Sequence, residues 1–141
     1  MNLQTFSDQK SWLDASVAWF EKAVNESNHA AIALSGGSTP IPIYEAIALE
    51  AKVNHTSIEV YQVDERYVPP DHPDSNQKLI MDHLILPAQE RAKKEGGYSP
   101  FCCATFFPTH KPIEKAVKSY HRTIKNGMAP SGGLTLSILG I

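Results

Sequence analysis

The run Ala30-Ala31-Ile32-Ala33-Leu34, followed at once by Ser35-Gly36-Gly37-Ser38-Thr39-Pro40, constrains the fold more than any other stretch. An unbroken apolar run leaves no polar face, so it fits a strand buried on both sides, as in a parallel sheet covered by helices. The glycines turn the chain. Thr39 is then placed to cap a helix with Pro40 at its first position, where a missing N–H is no loss. Tyr44, Ile47 and Ala48 form the expected buried face of this helix, which runs to about Glu50. Strand, glycine turn and capped helix make half of a β-α-β unit.

The remaining segments repeat the alternation. Ile58–Val63 reads as a second strand and enters Asp64-Glu65-Arg66 and a loop rich in proline and aspartate. Upstream, a helix over Asp8–Asn25 shows Trp12, Ala15, Ser16, Trp19, Phe20 and Ala23 at helical spacing, with Ser7 or Asp8 as its cap. Downstream, Ser75–Leu84 reads as a helix, Cys103–Phe107 as a short strand, and Pro112–Lys125 as a helix facing inward with Ile113, Ala116, Val117, Tyr120 and Ile124. Leu134–Leu139 is a last apolar strand after a turn at Pro130-Ser131-Gly132-Gly133, while Pro87–Pro100 fits either a helical turn or a loop. Short apolar strands alternating with helices specify an α/β domain, a mainly parallel sheet with helices on both faces, occupying residues 1–141 as one unit. The last strand stops just short of Ile141 with no helix to cover it, so the chain is expected to be the N-terminal part of a longer protein.

Composition narrows the function classes. A net charge of −2 supplies no broad cationic field for nucleic acid or an anionic membrane. No apolar run approaches the roughly 20 residues needed to cross a bilayer, and the N-terminus lacks the pattern of a signal peptide. A cytoplasmic enzyme is the default. Cys102 and Cys103 are adjacent, which suits neither a disulfide framework nor a zinc site; they read as small, partly buried residues beside a strand. His29, His55, His83, His110 and His121 show no metal-ligand spacing, so no metal site is expected.

Ligands of parallel α/β sheets bind at the carboxyl ends of the strands, where the loops after Leu34 and Val63 both fall. Ser35–Thr39 offers close backbone approach at two glycines, hydroxyl side chains and a helix N-terminus, a combination that favours a phosphate or carboxylate. The same residues also suit a plain tight turn. No Gly-Lys-Ser/Thr follows, and GxGxxG is missing, so neither a Walker loop nor a dinucleotide fingerprint is present. Asp64-Glu65-Arg66 is either a solvated ion-pair cluster or a working group: arginine holds phosphate bidentately, and a carboxylate orients hydroxyls or moves a proton. Ser75 or Asn76 caps the following helix, and His72 reads as a solvated side chain.

Together these segments resemble a known family. Leu34-Ser35-Gly36-Gly37-Ser38-Thr39-Pro40, Tyr44, Val63-Asp64-Glu65-Arg66-Tyr67-Val68-Pro69, His72-Pro73-Asp74-Ser75-Asn76 and Leu136-Ser137-Ile138-Leu139-Gly140 are similar, in order and spacing, to the 6-phosphogluconolactonases. The resemblance implies a Rossmann-like fold shared with glucosamine-6-phosphate deaminases. It also implies hydrolysis of 6-phosphoglucono-1,5-lactone to 6-phosphogluconate in the oxidative pentose phosphate pathway, without metal or organic cofactor. The implied partner is a small phosphorylated sugar lactone, not nucleic acid or membrane, handled by a monomer or homodimer. By position, Ser35, Gly36, Gly37, Ser38, Thr39 and Asn76 would line the substrate site. Arg66 would hold or orient the substrate, Asp64 would contact its polar groups, and Glu65 would steady Arg66. The family's catalytic histidine, in Gly-x-Asp-Gly-His, would follow Ile141. The deaminases carry Asp-Glu-Tyr where this chain has Asp64-Glu65-Arg66, which favours the lactonase; a non-catalytic sugar-phosphate binding module is the remaining reading.

Overall fold

The computed structural model describes residues 3–54, 57–101, 103–128 and 132–140. Cys102, His55, Pro130 and Ser131 lie outside the described residues. Four strands, β1 (His29–Leu34), β2 (Ser57–Gln62), β3 (Cys103–Thr105) and β4 (Leu136–Ile138), form one sheet in the order β3-β2-β1-β4. Every pairing is parallel. The apolar run therefore lies at the centre, between β2 and β4, and all of Ala30 to Leu34 is buried as expected.

The two faces are unequal. Ala30, Ile32 and Leu34 share one face with Ile58, Val60 and Leu136 and carry the main core. Onto it pack α1 (Gln9–Asn25), α2 (Ile41–Glu50) and a long helical stretch made of α3 (Asn76–Ile80), a π-helical turn (Met81–Ile85) and α4 (Leu86–Lys94). Ile32, Leu34, Ile47, Ile58 and Ile80 are all fully buried there. Each such side chain stabilises the fold by about 1.5–3 kcal/mol relative to exposure. The opposite face carries Ala31, Ala33, Tyr61 and the carboxylate of Glu59, and receives α5 (Ile113–Gly127), whose Tyr120 hydroxyl reaches the backbone of Gln62.

Several expectations shift. Asp8 does cap α1, accepting from the Ser11 N–H at 2.8 Å, but the buried stripe is Val17, Phe20 and Val24, and Trp19 faces solvent. The aromatic stripe and the true one differ by one residue's rotation about the helix. α2 starts one residue later than expected, with Pro40 at the cap position in place of Thr39, and no side chain caps it. Of the ambiguous stretch Pro87–Pro100, the part up to Lys94 is helix, with Pro87 in its first turn, and residues 95–100 are turn and irregular chain. On α5 only Ala116 is fully inside; Ile113 and Val117 are exposed. Cys103 is exposed rather than partly buried, on an edge strand shorter than expected. Among the described residues, no helix is long and apolar enough to cross a membrane.

Candidate functional site

The glycine turn is built by its neighbours on both sides. Ser35 continues the β1–β4 ladder, donating its N–H to the Ile138 carbonyl at 3.0 Å, while its hydroxyl accepts from the Gly140 N–H at 2.6 Å. Its own carbonyl accepts from the Tyr44 hydroxyl of α2 at 2.7 Å. Burial holds the Tyr44 phenol well above the usual tyrosine range, so it stays a donor. Ser35 thus fastens the turn through its N–H, its carbonyl and its hydroxyl oxygen. Gly37, at φ 89°, takes the left-handed bend that other residues rarely adopt.

The second loop is organised by a carboxylate. Glu65 Oε1 accepts the N–H of Asn76 and that of Arg66, both at 2.7 Å. Its Oε2 accepts the Gln77 N–H at 2.9 Å, Gln62 Nε2 at 2.6 Å and the Ser75 hydroxyl at 3.3 Å. Ser75 is the N-cap of α3 and accepts from the Lys78 N–H. The start of α3 is therefore closed by the protein's own groups, which satisfies donors otherwise left bare in a first turn. Glu65 steadies the main chain of Arg66 and not its guanidinium. Gln62, in turn, accepts the Phe107 N–H on Oε1, and its main chain is gripped at both N–H and C=O by Tyr120, whose phenol burial pushes up to about 12.

Gly36 and Asn76 join the two loops. A Cβ on Gly36 would lie 1.7 Å from Asn76 Oδ1, so only glycine admits the buried amide. Asn76 Nδ2 donates to the Asp64 carbonyl at 3.0 Å and locks the arrangement. Between the loops lies a cleft of about 490 Å³, lined by Gly37, Ser38, Arg66, Asp74, Ser75 and Asn76 together with apolar Ile41, Val68, Pro73 and Leu79. Its size suits a small ligand. Arg66 is exposed, and among the described residues its guanidinium has no hydrogen-bond or ion-pair partner.

Of the expected site residues, Gly37, Ser38, Arg66 and Asn76 thus share one cleft, with Gly36 pressed against Asn76. Thr39 is exposed on the same turn. Asp64 lies next door, in a hollow with Gln62, Phe107 and Tyr120. His72 stays outside, exposed, its Nδ1 accepting the Asp74 N–H at 3.1 Å. Glu65 as a remote cap had no signature in the sequence, since its partners begin ten residues away and follow no capping-box spacing. A second cavity, of about 150 Å³ at the far edge of the sheet, includes Arg91, which is engaged with the Ala48 and Ala51 carbonyls and with Glu95. Among the described residues no group of three His, Cys, Asp or Glu side chains is placed to hold a metal ion.

Known proteins share this arrangement of chain. Residues 9–141 match the family described as glucosamine-6-phosphate isomerases/6-phosphogluconolactonase. A 6-phosphogluconolactonase of Thermotoga maritima is 36% identical over 121 residues, which is 86% of this chain and 49% of that protein. One from Nostoc is 44% identical over 81 residues, covering 55% of this chain and 33% of that protein. The Thermotoga maritima crystal structure superposes with a TM-score of 0.71 at 31% identity over 91% of this chain and 54% of its own. A Plasmodium vivax 6-phosphogluconolactonase gives 0.74 at 28% identity, covering 95% of this chain and 45% of its own. The chain spans half or less of the length of these curated relatives.

Proposed function

The chain belongs to the glucosamine-6-phosphate isomerase/6-phosphogluconolactonase family, and from that premise we propose that it forms the substrate-holding part of a 6-phosphogluconolactonase. The reaction is hydrolysis: water adds to the lactone carbonyl, the acyl bond to the ring oxygen breaks, and 6-phosphogluconate leaves. The observation that carries this reading is Arg66, a cation without a protein partner among the described residues, set in a cleft beside Gly37 and Ser38. A guanidinium so placed takes a phosphate through two parallel N–H bonds. The glycine turn adds backbone and hydroxyl donors from Gly37, Ser38 and Thr39, and the uncapped start of α2 adds a favourable dipole.

Asp64 and the Asn76 amide line the neighbouring space and suit the hydroxyls of the sugar acid. Ser35 and Glu65 support the two loops. No histidine lines the cleft among the described residues, and the resemblance puts the base that activates water after Ile141. The reading needs no metal or organic cofactor and places the enzyme in the cytoplasm, as a monomer or homodimer acting on a small phosphorylated lactone.

Calorimetry with 6-phosphogluconate and glucosamine 6-phosphate tests the proposal. A polypeptide of residues 1–141 is expected to bind 6-phosphogluconate more tightly. Its lactone turnover is expected to lie about 10²–10⁴-fold below that of a relative possessing the base. Preference for the amino sugar would move the assignment to the deaminases. Full activity from these residues alone would overturn the location of the base.

A further inference from the structure

We infer that Glu65 is a positioning residue of the cleft, a carboxylate that never touches the ligand yet sets where Arg66 and Asn76 present themselves to it. The inference rests on the reading that the cleft holds 6-phosphogluconate. Its grounds are geometric. One carboxylate accepts five hydrogen bonds, from the main chains of Arg66, Asn76 and Gln77 and the side chains of Gln62 and Ser75. These donors come from the end of β2, the loop after it and the first turn of α3. The two that share Oε1 belong to Arg66 and Asn76, which both line the cleft, as does Ser75 on Oε2.

The chain of contacts continues outward on both sides. Through Asn76 it reaches Gly36, whose Cα leaves no room for a side chain, and so fixes the spacing between the glycine turn and the Arg66 loop. Through Gln62 it reaches Phe107 and Tyr120, on the opposite face of the sheet. Glu65 thereby also closes the start of α3 to an anion, since it occupies the first N–H groups there. A negative ligand is left to Arg66 and the glycine turn, which share the cleft. An ordinary cap would need only one or two of these bonds. The bond to Arg66 adds nothing to capping, and the one to buried Gln62 ties the same loop back to the end of β2.

The test is a double-variant cycle read by 6-phosphogluconate affinity on the full chain, at a temperature where circular dichroism shows each variant folded. Glu65→Gln removes acceptor capacity at constant shape and is expected to weaken binding about tenfold, and Arg66→Ala about thirtyfold. Because Glu65 acts through Arg66, the double variant is expected to fall within about threefold of Arg66→Ala alone. If Glu65→Gln does not fold, Glu65→Asp takes its place in the cycle; it keeps the charge but is one methylene too short to reach both Asn76 and Gln62. Unchanged affinity in the folded variant, with only a lower Tm, overturns the positioning role, and so does a fully additive loss in the double variant. Failure of the wild-type chain to bind 6-phosphogluconate is a different result, which overturns the substrate reading itself.

Discussion

Two helices start at the same edge of the sheet and treat their bare N–H groups in opposite ways. At α3 the protein supplies its own anion: Glu65 and Ser75 take the N–H groups of Asn76, Gln77 and Lys78. At α2 it supplies no acid: the prolines at 40 and 42 carry no N–H and the Ile41 N–H turns back to the Ser38 carbonyl. The turn before it is two glycines flanked by hydroxyl residues. What separates the two starts is the charge supplied. Where the protein adds a carboxylate it leaves no room for a foreign anion; where it adds none, an arginine without a partner among the described residues lines the same cleft.

Gly36→Ala strikes at the join between the two regions and is expected to have the largest effect. The new methyl would lie 1.7 Å from Asn76 Oδ1, so one loop must move. Overpacking of this kind costs about 1–3 kcal/mol. Urea denaturation should show that loss, and 6-phosphogluconate binding should fall by about a hundredfold, in the range of two lost charge-assisted contacts. Retained affinity would show that the loops are independent. Arg66→Ala comes next and separates binding from stability. Binding should weaken about thirtyfold, while the urea midpoint stays within experimental scatter, because the guanidinium holds no partner in the fold among the described residues.

Ser38→Asp converts the open start into something like the closed one. A carboxylate near the first turn of α2 should stabilise the protein by about 0.3–1 kcal/mol through the helix dipole. It should also repel the ligand phosphate and weaken binding about tenfold. A stabilised variant that binds normally would mean that the anion sits elsewhere. The smallest effect is reserved for Tyr120→Phe, on the far side of Gln62. Losing the hydroxyl leaves a main-chain N–H without its 2.7 Å partner and should cost about 1–2 kcal/mol, with affinity nearly unchanged. The pH dependence gives a second readout. The Tyr120 phenol is pushed by burial from an ordinary value of 10.0 up to about 12, so the folded state holds its proton longer than the unfolded one. Its contribution is complete below the unfolded value and is lost as pH climbs through the folded one. Tyr120→Phe should therefore flatten the alkaline fall in stability within that window.

The sequence made the glycine-turn region legible and left the Glu65 region obscure. The first is local: an apolar strand, a turn and a helix follow one another within a short span, and each step has its own chemical marker. The second depends on residues brought together by the sheet, so Asp64-Glu65-Arg66 looked the same whether it was a solvated cluster or a working loop. Likewise, the stripe that the tryptophans mark on α1 shares only Phe20 with the buried one; Val17, Phe20 and Val24 turn inward because they meet the core of Ile32 and Val60. The cap falls on Pro40, one step after the Thr39 that the spacing predicts, a difference of the size that helix ends usually carry. The substrate, finally, was legible only through resemblance, because a cleft with an arginine says "anion" without saying which.

The tie between the Ser35 hydroxyl and the Gly140 N–H spans 105 positions of chain, and that between Ala31 and the Thr135 hydroxyl spans 104. Contacts so distant in sequence form only after a long loop has closed, and such closures slow folding. The glycine turn is therefore among the first parts of the site to be synthesised, yet two of its ties wait for the end of the chain. Before β4 docks, Tyr44 and Asn76 already have their contacts with the turn within reach; what the last strand adds is the grip on the Ser35 N–H and hydroxyl.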